Sequence, residues 1–198
     1  MHATNAARLL PLPWRSLLLA GLAVAVFLAL GSAPEALVYD RDALARGEVW
    51  RLFSAHLVHA GGSHLLWDAA GLLVLGVLFE ARLGRLFFPV LLAGTAAIDA
   101  WLWLGSGLAR YCGLSGVLNS LLAAGLVVLW RESRSWTAPL TAALALAKIA
   151  VEATRQTALF TATAWPPVPL AHAMGFAAGL AAWAMLICCR IRIVRAGF

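Results

Sequence analysis

Charged side chains are scarce: they make up 12% of the 198 residues, against 63% hydrophobic. That shortage excludes a water-soluble domain of this size, and points to lipid as the solvent. Cysteine is equally sparse. Cys112, Cys188 and Cys189 have no metal-ligand spacing, and the adjacent pair stands far along the chain from Cys112, so neither a structural disulfide nor a metal site is expected, and no cofactor is called for. No internal repeat is present. The formal charge of +6 is not gathered into a soluble basic patch; the arginines fall in pairs and triplets between hydrophobic runs, which excludes nucleic acid as the partner and assigns the charge to membrane topology.

What the chain has in abundance is apolar runs. An α-helix needs about 20 such residues to cross a hydrocarbon core of about 30 Å. Windows near 16–33, 64–81, 86–105, 115–130, 138–160 and 168–189 approach that length, so the expectation is an all-α membrane protein, with residues 1–198 as a single membrane domain of six spans. The first run follows Arg8 and Arg15 and ends in Gly-Ser-Ala, which has some look of a signal-peptide cleavage site. It is longer than a usual signal core, and a retained helix is expected. With the N-terminus in the cytoplasm, nine arginines fall on the inside (8, 15, 82, 85, 131, 134, 190, 192, 195) and five on the outside (41, 46, 51, 110, 155). The positive-inside rule then puts both termini in the cytoplasm. The long connection 34–63 lies outside and folds onto the membrane surface, with Trp50 and Arg51 suited to the interface.

Depth can be counted from the cytoplasmic arginine that ends each span, at about 1.5 Å per residue. Ser115 lies 16 residues before Arg131, and His172 and His64 lie 18 before Arg190 and Arg82. All three therefore stand roughly 24 to 27 Å above the inner boundary, with Asp68 one helical turn below His64. Spans two, four and six run in the same direction and present Ser, His, His and Asp in one layer near the outer surface. Asp99, Lys148 and Glu152 come out in the same outer part. A central charge in hydrocarbon costs roughly 2.5 to 3.5 kcal/mol, so such a layer implies a water-filled cavity or an internal network. The competing structural reading is that these groups only bond one another to hold the helices together. Lys148 and Glu152, four apart, suit a structural ion pair. His59 reads as a structural partner for the first loop, and His56 and His2 as solvated.

Gly113-Leu114-Ser115-Gly116 precedes an apolar helix, placing Ser115 at a helix N-terminus, where free N–H groups and the dipole favour a developing negative charge. The glycines let the chain turn tightly and leave the hydroxyl open. His172 opens the sixth span at the matching depth, and imidazole is the side chain that takes and returns a proton near neutral pH. Gly175 and Gly179 follow it on the same face and allow close helix packing. No carboxylate is evidently placed to orient His172, so a Ser-His dyad is the economical arrangement.

These features together resemble the rhomboid family of intramembrane serine proteases. The residues carrying the resemblance are Glu48-Val49-Trp50-Arg51 in the first loop, His59 with His64 and Asp68, Gly113-Leu114-Ser115-Gly116, His172 with Gly175 and Gly179, and Glu80-Ala81-Arg82-Leu83-Gly84. The resemblance implies a six-transmembrane-helix rhomboid-like bundle, with the serine nucleophile Ser115 on the fourth helix and the base His172 on the sixth. It implies membrane-anchored protein substrates as partners and a bacterial inner membrane as the location. Small size and Cys112 before the Gly-Leu-Ser-Gly run look like the rhombosortase branch, associated with removing Gly-Gly-containing C-terminal anchors. One residue departs from the pattern: the family usually has Asn where this chain has Asp68. An ionised carboxylate there would repel the oxyanion that this position and His64 help to hold, whereas a protonated Asp68 could donate to it; alternatively Asp68 orients His64. The rival readings are a catalytically inactive rhomboid-like binder of transmembrane segments and a small transporter, the latter disfavoured because the polar groups cluster near one surface.

Overall fold

A computed structural model describes residues 11–163 and 165–196, with side chains as far as 185. The expectations for Arg8, His2, Cys188, Cys189 and the arginines at 190, 192 and 195 concern side chains outside that set. Among the described residues the long helices are α1 (Trp14–Leu30), α4 (Gly62–Leu75), α6 (Phe87–Leu104), α7 (Ser115–Ser133), α8 (Thr137–Arg155) and α9 (Pro169–Ala196). Between them lie the short helices α2 (Arg41–Ala45), α3 (Arg51–Ser54) and α5 (Ala81–Leu83), with a π-helical turn at Gly76–Glu80 that joins α4 to α5. The expectation of an all-α chain needs one correction. A two-residue strand β1 (Tyr39–Asp40) pairs antiparallel with β2 (Arg110–Tyr111), because the first loop folds back onto the segment before α7.

Several bounds differ from the apolar windows for local reasons. The first helix stops at Leu30, since Gly31 takes φ 79°, and α8 stops at Arg155, where Gln156 turns left-handed at φ 54°. Gly84 at φ 54° breaks the helical run between α5 and α6.

Inter-helix contacts give the directions. Gly71 of α4 lies against Leu118, and Phe79 against Gly125, so α4 and its continuation run parallel to α7. Val90 and Ile98 of α6 meet Ser120 and Gly116, in the reverse order, so α6 runs antiparallel. Gly175 and Gly179 of α9 press on the Gly116 and Ser120 carbonyls, so α9 runs parallel to α7 at backbone contact. The N-terminal ends of α4, α7 and α9 consequently share one end of the bundle, next to the first loop.

Two polar anchors fix the periphery. Helix α1 has no cap of its own. Buried Glu80 accepts from the Arg15 and Ser16 N–H groups at 3.0 and 2.9 Å and from the Ser16 hydroxyl at 2.8 Å, a carboxylate at a helix N-terminus where the dipole favours it. In the loop, buried Arg51 donates to Glu48 and to the Val38 and Glu35 carbonyls, while Trp50, half exposed, donates to the Ala36 carbonyl. Asp40 caps α2 through the Ala43 N–H at 2.8 Å, and that bond holds its carboxyl below the usual range.

The polarity is distributed inside out. Ser16, Asp68, Glu80, Ser120, Glu152 and His172 are buried, while Leu28 is 79% exposed, with Leu18, Leu66, Leu92, Leu140 and Leu144 also facing outward. Such a surface is stable in hydrocarbon and not in water. Two helical runs, Gly62–Leu104 and Thr137–Arg155, are long and apolar enough to cross a membrane, and Trp14–Leu30 is a shorter apolar helix.

The α7–α9 contact depends on glycine. Gly175→Ala puts a methyl group into the Gly116 carbonyl and is expected to lower stability by about 1–3 kcal/mol. Gly21→Ala on α1, with open space around it, leaves stability unchanged or slightly raised. Thermal unfolding in detergent micelles, followed by circular dichroism, checks the contrast.

Candidate active site

The turn into α7 is built from its neighbours. Gly113 adopts φ 119°, its N–H donates to the Ala55 carbonyl at 2.9 Å, and its carbonyl accepts from the Tyr111 hydroxyl at 3.2 Å. A side chain at 113 would also collide with the His64 ring, which passes over this glycine. Glycine is therefore required twice here, for the backbone angle and for the space.

The first helical residues have N–H groups without partners in their own helix. Asp68 reaches them from α4: its Oδ2 accepts from Leu114 N–H at 2.8 Å and Ser115 N–H at 3.0 Å. The same oxygen is 3.1 Å from His59 Nε2 and 3.4 Å from His64 Nε2, and the two imidazoles meet edge to face. His59, placed with the first loop by sequence, thus serves the site by holding Asp68. The contact with His64 suits the alternative in which Asp68 orients that ring, whereas Oδ2 accepts from the backbone at the head of α7 rather than donating.

Ser115 Oγ stands 2.9 Å from His172 Nε2. The approach follows from the close packing of α7 on α9: Gly116 faces the Ala171 carbonyl and Gly175 the Gly116 carbonyl, which leaves no side chain to separate the helices at this level. Asn119 donates to the Ser115 carbonyl at 2.9 Å. A cavity of about 400 Å³ opens onto both groups, bordered by His64, Trp67 and Val74 of α4 and by Ala145, Lys148 and Glu152 of α8.

Three features escaped the sequence reading. Glu152 lies beside His172, its Oε2 3.5 Å from Nδ1, as well as pairing with Lys148 at 2.6 Å. Its depth was in the sequence, but the direction in which α8 turns it was not. His56 is not solvated. It is buried and its Nε2 lies 3.1 Å from Asp99 Oδ1, because the first loop carries it under the bundle's end against α6. The third is the capping role of Asp68, which no motif signals.

Burial, reinforced by the Asp68 charge, pushes the Cys112 thiol up to about 12, so this neighbour of Ser115 stays protonated at neutral pH. Among the described residues no group of three His, Cys, Asp or Glu side chains is arranged to hold a metal ion.

A family model described as Rhomboid domain matches residues 46–189, well over half of the chain. No curated protein matches it.

Asp68 joins four donors from three parts of the chain, and its removal strands buried groups. Asp68→Ala is expected to lower stability by about 3 kcal/mol, and Asp68→Asn by less, since the amide oxygen still accepts from Leu114 and Ser115. Unfolding in micelles orders the three proteins.

Proposed function

The chain belongs to the rhomboid family, whose members are generally intramembrane serine proteases, and from that membership we propose that it hydrolyses a peptide bond in or beside the membrane anchor of a protein substrate, with Ser115 as nucleophile and His172 as base. The observation that carries the reading is the 2.9 Å approach of Ser115 Oγ to His172 Nε2 at the head of a helix, within reach of a cavity.

In this mechanism His172 Nε2 takes the Ser115 proton as Oγ bonds to the substrate's carbonyl carbon. The proton then passes to the leaving nitrogen, the C–N bond breaks, and an acyl-enzyme remains. Water attacks the ester, giving a proton to His172, and the proton returns to Oγ as the acid departs. The carbonyl oxygen becomes an oxyanion next to the Ser115 N–H and the His64 ring, the donors proposed to stabilise it. Since Asp68 Oδ2 already holds that N–H and faces His64 Nε2 at 3.4 Å, an oxyanion has to displace this carboxylate or share both donors with it. Gly113, Leu114 and Gly116 shape the turn, and Gly175 and Gly179 bring the base close.

Six helices crossing the membrane, with both termini in the cytoplasm, fit the directions of α4, α6, α7 and α9 and the arginine distribution. The proposed substrates are C-terminal anchors containing Gly-Gly. A regular helix engages and hides its carbonyls, so a substrate has to unwind locally to present one to Ser115. Each glycine lowers helix stability by about 1 kcal/mol relative to alanine, which makes a Gly-Gly segment easy to open.

Co-expression with a membrane-anchored reporter ending in a Gly-Gly-containing helix tests this reading. The parent protein is expected to release the reporter, while Ser115→Ala and His172→Ala, at equal protein levels, lose at least about 100-fold of the rate. Equal release by all three would overturn it.

A further inference from the structure

Among the described residues, several buried polar atoms lack a hydrogen-bond partner, His59 Nδ1 and His172 Nδ1 in the site among them, and the second has a carboxylate beside it. His172 Nδ1 is buried and makes no hydrogen bond, yet Glu152 Oε2 lies 3.5 Å from it. The Glu152 side chain is only 2% exposed and its carboxylate is held on three sides: Oε2 takes Lys148 Nζ at 2.6 Å, Oε1 takes the Leu159 N–H at 3.0 Å, and Oε2 also faces the imidazole. An ion pair with Lys148 alone gives no reason for the carboxylate to be turned toward His172.

The imidazole has two neutral forms, and this placement distinguishes them. With the proton on Nδ1, an N–H faces a carboxylate oxygen, which is attractive, and Nε2 is bare and directed at Ser115 Oγ. With the proton on Nε2, the Nδ1 lone pair faces that oxygen, which is repulsive, and the atom nearest the serine is no longer a base.

We propose that Glu152 is a positioning residue for the base: it selects the Nδ1–H form of His172 and stabilises the imidazolium formed when Nε2 takes the serine proton, so that a Ser115–His172–Glu152 triad replaces the dyad. The proposal rests on the reading of Ser115 and His172 as nucleophile and base. It adds a member from α8, a helix that borders the cavity. A separation of 3.5 Å is long for a hydrogen bond, but a movement of less than about 1 Å brings it into range, and catalytic hydrogen bonds commonly tighten only when substrate is bound.

Two measurements test it. The first needs no activity: nitrogen shifts of the imidazole ring in 15N-histidine-labelled protein in micelles, with His172 assigned by the signals missing from His172→Gln. The parent is expected to carry its proton on Nδ1 with Nε2 bare. A Glu152→Leu, Lys148→Met double variant, which strands no ammonium and whose folding is checked by thermal unfolding, is expected to show a mixture of the two forms. The second measures reporter cleavage, where Glu152→Gln is expected to lower kcat about 100-fold with little change in KM. Either an unchanged ring form in the double variant or an unchanged kcat in Glu152→Gln overturns the proposal. Failure of the parent to cleave any reporter sinks the protease reading separately, because the ring form still reports whether Glu152 governs His172.

Discussion

Backbone contact between α7 and α9 is the constraint on which the other features depend. Gly175 and Gly179 remove the side chains that would hold α9 away, so its surface rests on the Gly116 and Ser120 carbonyls. At that separation a serine at the start of α7 and a histidine near the start of α9 meet without any extended reach, and their 2.9 Å approach is a property of the helix pair. The first turn of α9 is then also near the end of α8, which brings Glu152 to the far side of the imidazole.

The polar groups follow the logic of a solvent that cannot hydrogen-bond. In hydrocarbon an unpaired N–H or carboxylate costs several kcal/mol, so helix ends and acidic side chains have to satisfy one another inside the bundle. Glu80 caps α1 from the α4–α5 junction, Asp68 caps α7 from α4, and Asp99 of α6 meets His56 of the first loop. Each acid serves a different element from its own, which ties the helices together where apolar side chains, equally content against lipid, give little preference for one neighbour over another. The position of Asp68 has a chemical consequence as well. A carboxylate that completes the head of α7 holds the donor that the proposed oxyanion would use, so in the proposed mechanism stability and turnover make opposite demands on one residue.

Much of this layout was legible because helix length measures depth. Counting from the arginines at 82, 131 and 190 assigned Ser115, His172, His64 and Asp68 to one layer, and the structure gathers these four around one cavity. Depth says nothing of rotation. Glu152 was in the right layer, yet an apolar helix in lipid has no polar face to reveal which way it points, and its pairing with Lys148 supplied a sufficient local explanation. The first loop was least legible: the burial of His56 and Arg51 and the Tyr39–Tyr111 pairing depend on where the chain returns in three dimensions, and no periodicity encodes that. The end of α8 was misjudged because the apolar window ran on past Gln156, whose left-handed backbone ends the helix.

In the proposed mechanism Ser115 is an activated nucleophile. Treating the protein in micelles with a fluorophosphonate, which reacts with serines whose hydroxyl is deprotonated by a neighbouring base, and locating the adduct by peptide mass spectrometry tests it directly. A single adduct on Ser115, absent when His172 is replaced by alanine, is the result this account predicts. No adduct on Ser115, or one that forms equally well without His172, would contradict it.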